Sequence, residues 1–182
     1  MHQNGVCVWL TGRSGAGKST VTRELVPLLE AQGRTVSVLD VMPELAKHWA
    51  ERSSEGKLIR KAVVAREVAR HGGIAICVTV SARAEVRERA RSIVGDDSFL
   101  EIYFDTPADV AASRKAARKK KPPLLKRMRH SLRRVKQRVR PAEAFEEPAS
   151  PDLVVDATTI PPEVNAQNIV DLLSARGFLA DP

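Results

Sequence analysis

Residues 12–20 read Gly12-Arg13-Ser14-Gly15-Ala16-Gly17-Lys18-Ser19-Thr20 and match the pattern G-x-x-x-x-G-K-[ST] at every fixed position. The apolar run Val6–Leu10 before them is typical of a buried strand, and from Lys18 onward apolar residues recur at helical spacing. A strand, a glycine loop and a helix are the setting in which a phosphate-binding P-loop occurs. A chance glycine turn before a helix is the alternative, and this setting disfavours it.

The chemistry of such a loop follows from its residue types. Glycines allow a tight turn whose N–H groups point inward, and the helix N-terminus adds partial positive charge. Lys18 can reach the terminal phosphates of a nucleotide, and the Ser19 hydroxyl can bind Mg²⁺. We therefore predict ATP and Mg²⁺ as cofactors, with residues 12–20 as the ATP-binding set.

Length and composition predict one globular domain over residues 1–182, since 43% of the residues are hydrophobic. The two cysteines, Cys7 and Cys77, lie in apolar runs and are expected to be core residues of a reducing compartment. The N-terminus does not resemble a signal peptide, and no apolar run approaches the ~20 residues that span a bilayer. We expect a cytoplasmic protein without membrane contact.

The net charge of +8 is concentrated in one stretch, residues 114–140, which we call the basic segment. It carries fourteen Lys and Arg residues and no acidic one, so the other 16 basic residues face 22 acidic residues. The basicity is therefore a local feature that requires a local explanation.

The remaining pattern predicts strands that alternate with helices. Later strands are predicted at 35–39, 74–80, 99–104 and 153–156, and helices at 18–32, 43–52, 55–70, 85–93, 107–117 and 162–176, with a further amphipathic helix inside the basic segment. Five short strands alternating with helices predict an α/β fold: a parallel sheet with helices on both faces.

Asp40 follows the second predicted strand directly. Because ligands of open α/β sheets bind at the carboxyl ends of the strands, Asp40 is a candidate for holding Mg²⁺ or for orienting the attacking hydroxyl. The alternative is a solvated loop aspartate.

Several stretches resemble the adenylylsulfate (APS) kinase family. They are Trp9–Gly12 with Ser14–Thr20, Val38–Asp40, Ile59–Lys61, Glu67–Ala69, Phe99–Tyr103 with Asp105–Pro107, and Pro151–Leu153. The resemblance implies a three-layer P-loop kinase fold with the strand order 2-3-1-4-5. It also implies transfer of the ATP γ-phosphate to the 3′-hydroxyl of adenosine 5′-phosphosulfate, with Lys18, Asp40 and Arg114 in catalysis and Arg60 and Ser81 at the substrate.

The acceptor half departs from the family pattern. Val41 and Met42 follow Asp40, Leu45 stands where the family has an arginine, and Ala82 replaces a proline. Leucine cannot supply the charge-assisted donors that a sulfate or phosphate needs. The acceptor is therefore left open between adenylylsulfate and a related nucleotide or metabolite.

The basic segment has three interpretations. It can be a solvated face, a lid whose arginines neutralise charge on the transferring phosphoryl group, or a contact surface for nucleic acid or anionic membrane. The third has the least support, because no aromatic residue lies inside the segment to stack on bases.

We therefore predict an ATP- and Mg²⁺-dependent kinase acting on a hydroxyl of a small anionic molecule. Two alternatives remain: a diverged nucleotide-binding protein without kinase activity, and a nucleic-acid-associated P-loop ATPase or kinase. A homodimer is left open as the assembly.

Overall fold

The computed structural model describes residues 4–40, 53–119 and 144–179. The strands are β1 (Val6–Thr11), β2 (Val36–Leu39), β3 (Ile74–Val78), β4 (Phe99–Phe104) and β5 (Leu153–Val155). The helices are α1 (Lys18–Ala31), α2 (Ser54–Arg70), α3 (Ala84–Val94), α4 (Ala108–Lys119) and α5 (Pro162–Ala175), with a 3-10 turn at Asp96–Ser98. The predicted helices at 43–52 and inside the basic segment lie outside the described residues.

The five strands form one parallel sheet in the order β2-β3-β1-β4-β5, which confirms the predicted fold class and strand order. Strand β1 lies at the centre, where Val8 is in register with Ile76 on one side and with Leu100 on the other. The P-loop therefore leaves the most buried strand of the sheet, which gives it a rigid base.

Side chains of β1 alternate between two cores because successive residues of a strand point to opposite faces. Val8 and Leu10 belong to the core beneath α1 and α5, whereas Cys7 and Trp9 belong to the core beneath α2 and α3. Cys77 joins Cys7 there, and both cysteines are free and buried, as predicted. The helices thus cover both faces and make the three layers.

Two details differ from the prediction. Strand β3 ends at Val78 instead of residue 80, because Thr79 directs both its N–H and its hydroxyl to the Leu10 carbonyl oxygen and Val80 turns out to solvent. The helical spacing of apolar residues in 55–70 predicts Val63 on the buried side of α2, but its side chain is 41% exposed.

Helix α2 buries two cations on its inner side, Arg60 and Lys61, that the apolar pattern did not reveal. The Lys61 ammonium donates to the Val78 carbonyl oxygen at 2.7 Å, which accounts for its burial. The spacing of Glu and Arg residues in 85–93 predicts ion pairs along α3 itself, but Arg87 and Arg91 reach Glu101 of β4 instead. In the described part of the chain, no helix combines the length and the apolar character that a bilayer crossing requires.

Candidate active site

A cavity of about 860 Å³ opens at the carboxyl ends of β1 and β3. This volume is typical of pockets that hold small ligands. Its lining comprises residues 14–21, Asp40, residues 78–80, Arg114, Arg118, residues 157–162 and Asn165. The cavity is therefore built around the P-loop, at the edge of the sheet where α/β folds bind ligands.

The P-loop turns tightly between β1 and α1. The Ala16 N–H donates to the Arg13 carbonyl oxygen at 3.0 Å, and the N–H groups of Thr20 and Val21 donate to the Gly17 carbonyl oxygen. Gly17 caps α1 in the left-handed conformation, with φ of 101°. The loop is thus closed by its own main chain, with the N-terminus of α1 at the cavity.

The loop also packs closely against the elements on its β4 side. A β-carbon on Gly15 would lie 2.2 Å from the Ala111 carbonyl oxygen, and Gly15 itself has φ of 101°. The Thr106 hydroxyl donates to the Ala16 carbonyl oxygen at 3.1 Å. Helix α4 and the end of β4 therefore hold the loop in shape, so the anion site is preorganised.

The Lys18 side chain is buried against the P-loop. Its ammonium donates to the carbonyl oxygens of Gly12 at 2.6 Å and of Arg13 at 2.9 Å. Burial lowers the pKa of Lys18 to about 8; the charge of Asp40 opposes this shift and the charge of Arg118 adds to it. The ammonium is thus held at the bottom of the cavity, where terminal phosphates would meet it.

Asp40 and Ser19 are exposed residues on the lining of the same cavity. A carboxylate, a hydroxyl and nucleotide phosphates are the oxygen ligands that Mg²⁺ takes in such sites, so these two residues fit the metal. The structure brings together the two residues that the sequence proposed as metal ligands.

Arg114, which the resemblance places in catalysis, also lines this cavity. Its guanidinium donates to the Ala157 carbonyl oxygen at 3.0 Å, and Arg118 one helical turn later lines the cavity as well. Two residues of the basic segment therefore line the cavity, while residues 120–140 lie outside the described residues.

The loop after β5 is a part of the site that the sequence analysis missed. Asp156 accepts hydrogen bonds from the main chain and hydroxyl groups of Thr158 and Thr159, which lower its pKa. The buried Asn165 side chain ties this loop to α5 by donating to the Asp156 and Ile160 carbonyl oxygens. The run Asp156-Ala157-Thr158-Thr159 after a strand is the signal that could have revealed it.

Ser81 and Arg60 were expected at the substrate, but neither lines this cavity. Ser81 is 2% exposed, and its hydroxyl bonds to Trp9 Nε1 at 3.2 Å and to the hydroxyls of Thr11 and Thr79. Its φ of 34° is positive. Ser81 therefore ties together the ends of β1 and β3.

Gly12 and Arg13 are the two residues of the predicted ATP-binding set that do not line the cavity. Gly12 lies too deep, since a β-carbon there would meet the Phe104 carbonyl oxygen at 2.9 Å. The Arg13 side chain leaves the loop in another direction and places its guanidinium carbon 5.2 Å from the centre of the Phe145 ring. The other seven residues, 14–20, lie where the motif predicts.

Comparisons with known proteins agree with this geometry. The adenylylsulphate kinase family profile matches residues 4–156. An adenylyl-sulfate kinase of Microcystis aeruginosa is 37% identical over 119 residues, which are 63% of this chain and 65% of that protein. A probable adenylyl-sulfate kinase of Aeropyrum pernix is 34% identical and covers 95% of this chain and 94% of its own.

A solved structure extends the comparison to three dimensions. The APS kinase of Mycobacterium tuberculosis in complex with AMPPNP and APS has a TM-score of 0.71 and 26% identity, over 94% of this chain and 99% of that one. The family profile that matches this chain spans the P-loop and all five strands of the sheet. The chain belongs to the adenylylsulphate kinase family and has the fold and nucleotide cavity of an ATP-dependent kinase.

Proposed function

We propose that this protein transfers the γ-phosphoryl group of ATP to a hydroxyl of adenylylsulfate or of a closely related small anion. The observation that carries the proposal is the buried Lys18 ammonium, held beneath the P-loop in the same cavity as Asp40. Relatives named adenylyl-sulfate kinase and a structural neighbour that holds APS support this acceptor class.

Phosphoryl transfer requires positioning and charge neutralisation more than covalent chemistry from the protein. The P-loop N–H groups other than those of Ala16 and Thr20, which donate within the loop, would hold the β- and γ-phosphates together with the Lys18 ammonium. Arg114, already at the cavity, would offset charge that develops on the transferring group.

Ser19 and Asp40 would hold Mg²⁺, which would neutralise phosphate charge when bound. Asp40 has a second role open to it, since a carboxylate at the sheet edge can accept the proton of the attacking hydroxyl. In a measurement of turnover against Mg²⁺ concentration, Asp40→Asn should raise the Mg²⁺ concentration needed for half-maximal turnover if Asp40 binds the ion. It should lower kcat at saturating Mg²⁺ if it is the base.

The decisive experiment follows the γ-labelled phosphate of ATP into adenylylsulfate with the wild-type protein and with Lys18→Ala. Removing the ammonium should abolish turnover and leave the fold unchanged by circular dichroism. Lys57→Ala is the matched control, because Lys57 is exposed on α2. Unchanged turnover in Lys18→Ala would contradict the proposal.

The same assay separates the alternatives. Label that stays in ATP with every hydroxyl acceptor, while ATP still binds, would identify a nucleotide-binding protein without transferase activity. Transfer to the 5′-hydroxyl of an oligonucleotide, with affinity that falls steeply as salt is added, would identify a polynucleotide kinase.

The assembly and the cellular location stay predictions. A homodimer would elute with light-scattering mass about twice the 20.0 kDa of the chain. A fluorescent fusion observed in its host cell would test the cytoplasmic location.

A further inference from the structure

Arg13, the first variable residue of the P-loop, has no role in the nucleotide site described above. Its side chain is half-buried, does not line the nucleotide cavity, and contacts the Phe145 ring instead. We propose that Arg13 binds an anionic group of the acceptor and that Phe145 positions it for this role. This inference rests on the proposed function, since it assigns the acceptor side of the same reaction.

The location of Arg13 relative to the transferred phosphate supports an acceptor role. Its main-chain carbonyl oxygen accepts from the Lys18 ammonium at 2.9 Å, so Arg13 lies one contact away from the group that meets the terminal phosphates. In-line transfer requires the acceptor to approach the γ-phosphate from the side opposite ADP. A side chain that starts beside the Lys18 ammonium and points out of the nucleotide cavity is suitably placed to meet that acceptor.

Phe145 is itself held firmly. Its ring stacks on Tyr103 with a centroid distance of 5.9 Å and an interplanar angle of 13°, and Tyr103 is a buried residue of β4. The next residue, Glu146, donates its N–H to the Ala82 carbonyl oxygen at 2.8 Å, and its carboxylate accepts from the Ala84 N–H at 2.7 Å. Arg13 is therefore braced by a ring that is fixed on β4 and on the start of α3.

The bracing leaves the hydrogen-bonding groups of Arg13 available. A contact between a guanidinium and a ring uses the ring face and none of the five N–H donors. Among residues 4–40, 53–119 and 144–179, no carboxylate oxygen lies within 4.0 Å of the Arg13 guanidinium. The nearby Arg87 differs, because its charge is matched by Glu101 at 2.8 Å.

The ligand chemistry follows from this arrangement. A planar, permanently charged fork of donors binds oxyanions in a bidentate manner, and phosphate, sulfate and carboxylate share that geometry. The acceptor should therefore carry such a group on the Arg13 side of the hydroxyl that receives the phosphate.

The test measures KM for ATP and for adenylylsulfate in wild type, Arg13→Met, Arg13→Lys and the control Arg70→Met. Arg70 is exposed at the far end of α2. Arg13→Met should raise the KM for adenylylsulfate by about 10- to 100-fold, as expected for loss of a hydrogen bond to a charged group, with the KM for ATP within about twofold. Arg13→Lys should give a KM for adenylylsulfate between those of wild type and Arg13→Met, since lysine keeps the charge but lacks the planar set of donors. Arg70→Met should match wild type.

The role of Phe145 is tested with a conservative variant and with a double variant that also changes Arg13. Phe145→Leu should raise the KM for adenylylsulfate by about 3- to 10-fold and Phe145→Tyr should restore it, because the tyrosine ring preserves the contact with the guanidinium. The double variant Arg13→Met with Phe145→Leu should be no worse than Arg13→Met alone, as expected when one residue acts through the other. Thermal unfolding midpoints would confirm that each variant is folded.

The outcomes are distinct. An unchanged KM for adenylylsulfate in Arg13→Met, or an equal rise in the KM for ATP, would overturn the Arg13 assignment and leave the kinase proposal standing. Additive effects in the double variant would overturn the role of Phe145. A wild-type protein that binds AMPPNP but forms no product from adenylylsulfate or from any related anionic acceptor would refute the proposed function and this inference with it.

Discussion

Arg87 Nε lies 2.8 Å from Glu101 Oε1, and both side chains are at most 10% exposed. Arg87 also donates to the Ser81 carbonyl oxygen at 2.8 Å, so one guanidinium joins α3, β4 and the end of β3. Burial raises the pKa of Glu101, while the charges of Arg87 and Arg91 oppose that shift.

Removing the cation should therefore destabilise the protein strongly. Arg87→Met would leave Glu101 buried with less compensation, and we expect a loss of about 3–5 kcal/mol in chemical denaturation. Arg89→Met is the matched control, since Arg89 pairs with Glu55 at an exposed site and should cost under about 1 kcal/mol. Equal losses in the two variants would contradict this account.

Gly15→Ala should disable the nucleotide site. The added carbon would collide with the Ala111 carbonyl oxygen at 2.2 Å, and the loop must shift to relieve the contact. We expect ATP affinity, measured by calorimetric titration, to fall by at least about tenfold, because displaced main-chain donors no longer match the phosphates.

Gly33→Ala provides the comparison. Gly33 has φ of 74° but no atom within 4 Å of an added β-carbon. It should therefore cost only the ~1–2 kcal/mol of a left-handed residue with a side chain, and ATP affinity should not change. A similar loss of affinity in both variants would mean that conformation, and not the contact with Ala111, is what matters.

ATP binding should weaken above pH 8. Burial lowers the pKa of Lys18 in the free protein to about 8, so its ammonium is charged below that pH and loses its proton above it. Phosphates bind the charged form, hence the Kd for an ATP analogue should rise by up to about tenfold per pH unit above 8. The dissociation constant measured from pH 6.5 to 9.5 tests this, and Lys18→Ala should show no such slope.

The same shift has a consequence for stability. The unfolded chain holds the Lys18 proton up to about pH 10.5, whereas the native protein releases it near 8. The contribution of Lys18 should therefore increase the free energy of unfolding as the pH rises from about 8 to about 10.5.

Ser81→Ala separates a structural role from a substrate contact. Loss of the hydroxyl would leave the buried Trp9 Nε1 without its acceptor, and we expect a cost of about 1–3 kcal/mol. The KM for adenylylsulfate should stay within about twofold. A large rise in that KM with unchanged stability would instead place Ser81 at the substrate, and Ser92→Ala on the exposed face of α3 serves as the control.

Much of the fold could be predicted because its signals are local. Val6–Leu10 is apolar throughout because the central strand of a parallel sheet is covered on both faces, and Ser53 caps α2 by accepting from the Gly56 N–H at 2.9 Å. The P-loop pattern likewise predicted the positions of Lys18 and Ser19 at the cavity, since nine consecutive residues contain both the turn and the helix N-terminus.

The layered architecture, the P-loop and the position of Asp40 at a strand end could therefore be read from the amino-acid sequence, because each depends on neighbours within a few residues. The folded chain, in contrast, was needed to see that the Arg13 side chain contacts Phe145 and that the buried Ser81 hydroxyl accepts from Trp9 Nε1. These contacts join residues 132 and 72 positions apart in the chain. A local sequence pattern cannot predict these two contacts, because they form only when distant segments of the chain pack together.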